Sequence, residues 1–303
     1  MNPMSIVEMS VHTNKKPLGA VRSIHIERSD LFDEAGQWVE GPPRREESFS
    51  FDLEDRLVEF ISYNRDSSVC RRSVYAYRTA REAQEENAFD ADDRLLYRKI
   101  YAYDSEGNRS TLMVYDADGC LKERASYSYD SQGRALETNF YYYDGSLKSQ
   151  EKYELNDEGV VTRKRVDYNP DGSVKGSLIR IDDPNRRIFH RRFSDADGSL
   201  NSEWISSYDL ERRETERKHY DSKGSFERKD IWHSDPSGEL IRMMTYSAQE
   251  EIEEDRLLVY EYDEIGNWTK RTHLVSVLES EPPAYRPGPF IHRMITYWPE
   301  QPS

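Results

Sequence analysis

The sequence predicts an all-β protein, a long antiparallel meander of hairpin repeats with about 17 to 20 strands in one twisted or coiled sheet. Three observations predict it. An aromatic residue followed by Asp or Asn recurs about every 13 residues, as at Phe51-Asp52, Tyr63-Asn64, Phe89-Asp90, Tyr103-Asp104, Tyr129-Asp130, Tyr143-Asp144, Tyr220-Asp221 and Tyr262-Asp263. A Gly closes many of these units, as in Asp104 to Gly107, Asp116 to Gly119, Asp130 to Gly133 and Asp221 to Gly224. Between the turns, apolar and polar residues alternate.

The elements follow in chain order. Residues 1–45 read as an N-terminal strand and hairpin cap, with a turn around Phe32 to Gly36 and a break at Pro42-Pro43. Residues 46–273 read as the uninterrupted array. The stretch Arg81 to Asn87 looks helical by composition but falls in repeat register, so it is read as a strand. In Leu121 to Tyr129, Leu121, Ala125, Tyr127 and Tyr129 share one face and Lys122, Arg124, Ser126 and Ser128 the other. Such period-two alternation marks a half-buried strand. Trp204 and Trp232 are placed on the packed face. Residues 274–303 read as a loop, Glu279 to Pro289, followed by a capping strand, Phe290 to Trp298.

The turns have a physical cause. An Asp side chain at the first turn position accepts backbone N–H bonds from residues further on, and Gly takes positive φ without steric strain. A type I turn ended by a left-handed Gly is a common hairpin connection.

The iterated pattern in Tyr101 to Asn108 (YAYDSEGN), Tyr127 to Arg134 (YSYDSQGR) and Tyr260 to Asn267 (YEYDEIGN) resembles the YD repeat of RHS-repeat proteins. The ending from Gly266 to Thr272, then a loop and the ITYW stretch, resembles the close of small bacterial proteins of that kind. The resemblance implies a β-sheet shell. The large relatives use theirs to enclose a toxin, but the core-ending motif of those relatives and a toxin domain are missing here, so that role is not carried over.

Composition bounds the function. Charged residues make up 33% and mean hydropathy is −0.95, values near those of disordered chains, yet 21 Tyr and 5 Trp argue for an ordered fold with a thin, Tyr-rich core. Net charge is −15, which disfavours nucleic acid and anionic membranes as partners. Cys70 and Cys120 sit in no motif, and the seven His residues show no zinc-ligand spacing. No cofactor, metal or catalytic residue is expected. Without an apolar leader or helical span, the expected location is the cytoplasm.

The expected function is a non-enzymatic repeat scaffold that binds another protein through a sheet face or edge. The alternatives are an accessory of a toxin-delivery system and a glycan-binding module. Candidate contact residues are Tyr141 and Tyr143, placed on the polar face, and an Arg-rich patch at Arg186, Arg187, Arg191 and Arg192.

Overall fold

A computed structural model describes residues 17–35, 37–79, 82–277 and 284–299, and they form strands and turns without a helix. The chain opens with β1 (Val21–Ser29), the short β2 (Leu31–Glu34) and β3 (Gln37–Glu40), then β4 (Arg44–Phe51), β5 (Leu57–Tyr63), β6 (Val69–Tyr77) and β7 (Ala83–Phe89). It continues through β8 (Leu95–Tyr103), β9 (Arg109–Asp116), β10 (Leu121–Tyr129), β11 (Ala135–Tyr142), β12 (Leu147–Leu155), β13 (Val161–Tyr168) and β14 (Val174–Asp183). It ends with β15 (Ile188–Asp195), β16 (Leu200–Asp209), β17 (Glu214–Tyr220), β18 (Phe226–Ser234), β19 (Leu240–Ser247), β20 (Ile252–Tyr262), β21 (Trp268–Val277) and β22 (Ala284–Tyr297). The all-β expectation holds, and the helix-like stretch after Arg81 is strand β7.

Twenty strands make one antiparallel sheet, and β2 and β3 make a second, two-stranded one. From β4 to β22 the ladder follows chain order. β1 does not. It pairs with β22 on one side, Glu27 opposite His292, and with β4 on the other, His25 opposite Ser48. The ladder therefore returns on itself as a closed antiparallel barrel, which corrects the open coiled sheet expected from the repeats. The reason is hydrogen bonding. An open ribbon leaves two rows of unpaired N–H and C=O groups, and β1 satisfies both rows at once.

Two local expectations also change. The loop expected over Glu279 to Pro289 is strand from Ala284 onward, with Leu274 opposite Pro287 and Val275 opposite Arg286. A register shift between Thr272 and Leu274 makes room for prolines that cannot donate to a ladder; residues 279–283 of that loop lie outside the described residues. Tyr143 was aligned with the aromatic that ends a strand, but it lies in a turn. Tyr142 takes the first turn position that Asp holds elsewhere, with Tyr142 N–H donating to Ser146 O at 2.9 Å and Gly145 N–H to Tyr142 O at 3.1 Å.

The chain forms two compact units, one drawn from residues 1–100, 115–120 and 257–303 and the other from 101–114 and 121–256. The first has an apolar core of Val21, Ile24, Ile26, Phe49, Phe51, Leu57, Tyr75, Trp268 and Ile291. The rings of Phe49 and Phe60 sit 5.1 Å apart within it. Buried Glu86 on the same face accepts the Tyr97 hydroxyl at 2.9 Å and pairs with Lys99 at 3.0 Å. Burial and the Glu86 charge push the Tyr97 hydroxyl up to about 12, so it stays a donor.

The second unit has a more polar core. Its buried residues include Ala125, Thr138, Ser149, Glu151, Leu178, Ser206 and Asp230. Glu151 accepts the Tyr153 hydroxyl at 2.9 Å and pairs with Arg163, and Asp255 takes a two-pronged contact from Arg242 at 2.9 and 2.8 Å. Cross-strand charge pairs thus occupy positions that aliphatic side chains fill in the first unit.

Most of the turns share one geometry, the longer ones at Asp183 and Asp209 excepted. At Asp104 the Oδ1 accepts the N–H of Glu106 at 3.1 Å and of Asn108 at 2.7 Å, while Gly107 N–H donates to the Asp104 carbonyl at 3.2 Å. The same bonds recur at Asp116, Asp130, Asp221 and Asp263. The closing residue is left-handed, with φ 83° at Gly107 and 78° at Gly224. Where Gly is missing, other residues are held there: Asp93 at 60°, Ser67 at 64° and Glu250 at 62°.

This geometry sets opposite expectations for two substitutions. Gly224→Val should destabilise by about 1–3 kcal/mol, because a β-branched residue is strained at positive φ. Glu250→Gly should stabilise by about 1 kcal/mol by removing a left-handed residue that carries a Cβ. Urea melts of both variants beside the wild type check the pair, and equal shifts in one direction would refute the common turn geometry.

Candidate functional site: an exposed aromatic hairpin

Strands β2 and β3 form the one element among the described strands that stands apart from the closed ladder. Leu31 faces Glu40, Phe32 faces Val39, and Asp33 faces Trp38. Gly41 N–H donates to Asp30 O at 2.9 Å and closes the base. A Cβ on Gly41 would lie 2.3 Å from Phe32 Cε2, so glycine lets this ring fold back over the chain.

The base is clamped by charge. The Asp30 carboxylate has Arg28 at 3.5 Å, Arg44 at 3.7 Å and Arg65 at 3.9 Å. Across the base, Glu40 hydrogen-bonds His292 of β22 and has Lys270 of β21 at 3.6 Å. Burial pushes the Glu40 carboxyl up, but the bond from His292 and the His292 and Lys270 charges outweigh it. The group is held below its ordinary value.

Beyond the clamp the hairpin is apolar and open. Phe32 is 54% exposed, Trp38 47% and Val39 39%. Phe32 and Val39 share one face and Trp38 lies on the other, so both faces present large apolar groups. Among the described strands each pairs with the other and with no third strand, so the hairpin keeps a strand edge. Trp is the residue type most enriched in interface hot spots, and exposed apolar clusters on loops and hairpins mark contact sites.

The structure separates the residues expected to form a contact surface. Tyr141 is half-buried on β11 beneath the Arg124 guanidinium, 4.7 Å from its ring centre. Tyr143 is 72% exposed at the turn after β11. Arg186 and Arg187 lie in the turn between β14 and β15, where Arg187 is left-handed at φ 56°. Arg191 and Arg192 point to opposite faces of β15: Arg192 is exposed and Arg191 half-buried, opposite Arg180 of β14. The four arginines are not one patch. Phe32, Trp38 and Val39 were missed because the segment was read as a cap. The available signal was a pair of aromatics outside the repeat register, ended by Gly41-Pro42-Pro43.

No family model matches the chain, and no curated protein sequence does. Among solved structures, a porin-like protein from Bacteroides uniformis aligns at 11% identity with a TM-score of 0.35, covering 91% of this chain and 96% of that chain. A porin-like protein from Bacteroides vulgatus aligns at 10% identity and a TM-score of 0.29, over 90% of this chain and 98% of that one. The TcdB2-TccC3 structure aligns at 14% identity and a TM-score of 0.15, over 76% of this chain but only 15% of that chain. Likenesses this distant carry no functional argument.

The expected cytoplasmic location is corrected. It rested on the lack of a helical span, and no described helix is long and apolar enough to cross a membrane, but that criterion does not address β-barrels. A closed antiparallel barrel is an architecture that can cross a membrane with strands, so the lack of a helical span does not place the chain in the cytoplasm.

The Glu40 clamp makes a pH prediction. Because its folded value is depressed, its contribution is present above the ordinary carboxylate value of about 4 and is lost as pH falls through the lowered folded value. A fluorine label on Trp38, read by NMR, should hold its shift from neutral pH down to that range and move below it. His292→Ala should raise the midpoint of that change.

Proposed function

We propose that the protein is a non-enzymatic scaffold that engages a protein partner at the β2–β3 hairpin, by strand pairing along its backbone and burial of Phe32, Trp38 and Val39. The observation that carries this reading is the contrast between the two sheets. Among the described residues the closed ladder has no unpaired edge, while the hairpin keeps both an edge and exposed aromatics. Strand addition to such an edge takes affinity from main-chain bonds and specificity from alternate side chains. The partner expected here is therefore an extended segment with apolar residues at every second position. The charge clamp holds the hairpin in place before binding, which lowers the ordering entropy that association otherwise incurs.

The repeat unit itself we read as YD-type, supported by the shared Asp–Gly turns at Asp104, Asp130 and Asp263. On the exposed face of the second unit, Lys152 stands opposite Lys164, and Arg192 lies further along the same row. Each such charge costs roughly 2–4 kcal/mol at a bilayer midplane. We therefore do not assign these strands to a lipid-facing band.

Pull-down from the native host with three baits tests the partner reading. Wild type and Lys122→Ala should retain the same partner, whereas Phe32→Ala/Trp38→Ala should lose it, because it removes the exposed rings from both faces of the hairpin. A partner held equally by the hairpin variant would refute the assignment.

A further inference from the structure

On the better-buried face of the second unit, cationic side chains from neighbouring strands line up. Arg163 of β13 stands opposite Arg180 of β14, Arg180 opposite Arg191 of β15, and Arg191 opposite Trp204 of β16. Arg217 of β17 joins from the next row, opposite Ser206. Aromatic rings fix three of the four guanidinium groups, those of Arg163, Arg191 and Arg217. The Trp204 ring has Arg191 at 4.6 Å and Arg217 at 4.3 Å; Arg191 also lies 5.1 Å from Phe189, Arg217 4.8 Å from Trp232 and Arg163 5.2 Å from Tyr153. Such contacts hold a guanidinium in position while leaving its N–H edge free to donate.

Of the acidic groups nearby, Glu151 and Asp230 are committed at the ends of the row, and Asp182, two residues beyond Arg180 on the same face, is exposed. Glu151 pairs with Arg163 and lies 3.8 Å from Arg165, which also bonds Asp167 at 2.8 Å. Asp230 accepts His219 at 2.7 Å and Thr245 at 3.0 Å. Arg217 donates to Ser206 Oγ at 3.1 Å. Arg180 and Arg191, in the middle, are in no ion pair among the described residues. Their buried Nε atoms, and that of Arg163, have no hydrogen-bond acceptor.

Burial first, and neighbouring cations second, hold both Arg180 and Arg191 below the ordinary arginine value. Half-buried like charges without acceptors are an arrangement that a fold keeps only at a cost, since a buried charge wants a partner. A ligand bearing negative charge would supply it.

We propose that Arg180 and Arg191, flanked by Arg163 and Arg217, bind a compact oligoanion. Adjacent strands set the backbones that carry these arginines about 4.8 Å apart, so neighbouring guanidinium groups can reach one ligand that carries two or more oxyanion groups. Phosphate, sulfate and carboxylate groups all match the planar donor edge of arginine. The site is independent of the hairpin, which lies in the other unit.

Isothermal titration at low salt tests the site, with inorganic pyrophosphate and a sulfated disaccharide as probes. The wild type should bind at least one, and Arg180→Gln and Arg191→Gln should each weaken that binding at least tenfold. Arg192→Gln, on the opposite face of the same strand, should leave it unchanged. Tighter binding of pyrophosphate assigns the site to free phosphates, and tighter binding of the disaccharide assigns it to acidic glycans. If Arg191→Gln fails to fold, Arg191→Lys should still weaken binding severalfold, since it keeps the charge and loses the fork. Without ligand, Arg180→Gln should melt no lower than the wild type. Binding of neither probe, equal loss in Arg192→Gln, or a destabilised Arg180→Gln would overturn the proposal.

Discussion

Everything in this fold depends on the backbone hydrogen bonds of a single strand. A sheet assembled from repeating hairpins grows by adding edges, and it always ends with two of them. β1 removes both by inserting between β22 and β4. The burial follows from this position: Ile24 and Ile26 of β1 and Ile291 of β22 are among the most deeply buried side chains. The apolar core lies where the ladder closes, and that is where a loss of pairing would expose the most backbone.

Away from that closure the sheet holds itself together differently. In the second unit, buried positions carry Glu151, Ser149, Thr138 and Asp230 instead of aliphatic groups. The carboxylates of Glu151 and Asp230 are matched across a strand or along one, so a polar core remains compatible with order. A row of arginines braced by aromatic rings is the exception, since its central members lack acidic partners. This contrast between units explains how a chain so poor in aliphatic residues folds at all.

Much of the architecture was legible because it is local. The Asp-to-Gly spacing fixes turns such as Asp130 to Gly133, and alternation in Leu121 to Tyr129 fixes which side is packed: Ala125 is buried while Lys122 and Arg124 are exposed. Where the local code degenerates, the reading slipped by one residue, as at Tyr142, which carries no side-chain oxygen able to cap the turn as Asp does. Closure was not legible. Nothing in Val21 to Ser29 names a partner found more than two hundred residues later, because pairing of distant strands is set by geometry that accumulates over the whole array. The site was legible only in part. Arg191 was singled out, but the residue it faces, Arg180, comes from another strand, and no spacing within β15 could reveal it. The hairpin was seen as a turn, yet its aromatics became informative only once the rest of the sheet was found to be closed.

The position of β1 also orders events in time. It leaves the ribosome before every other described strand, and β22 leaves after them all. Until β22 is made, β1 has only β4 as a neighbour, and the growing array carries a raw edge through most of synthesis. Contacts of such long sequence separation slow folding, and exposed strand edges invite pairing with other nascent chains. A protein built this way is at greatest risk of aggregation while it is being translated. Its yield in a heterologous host should therefore depend more on chaperone supply and translation speed than on the stability of the finished fold.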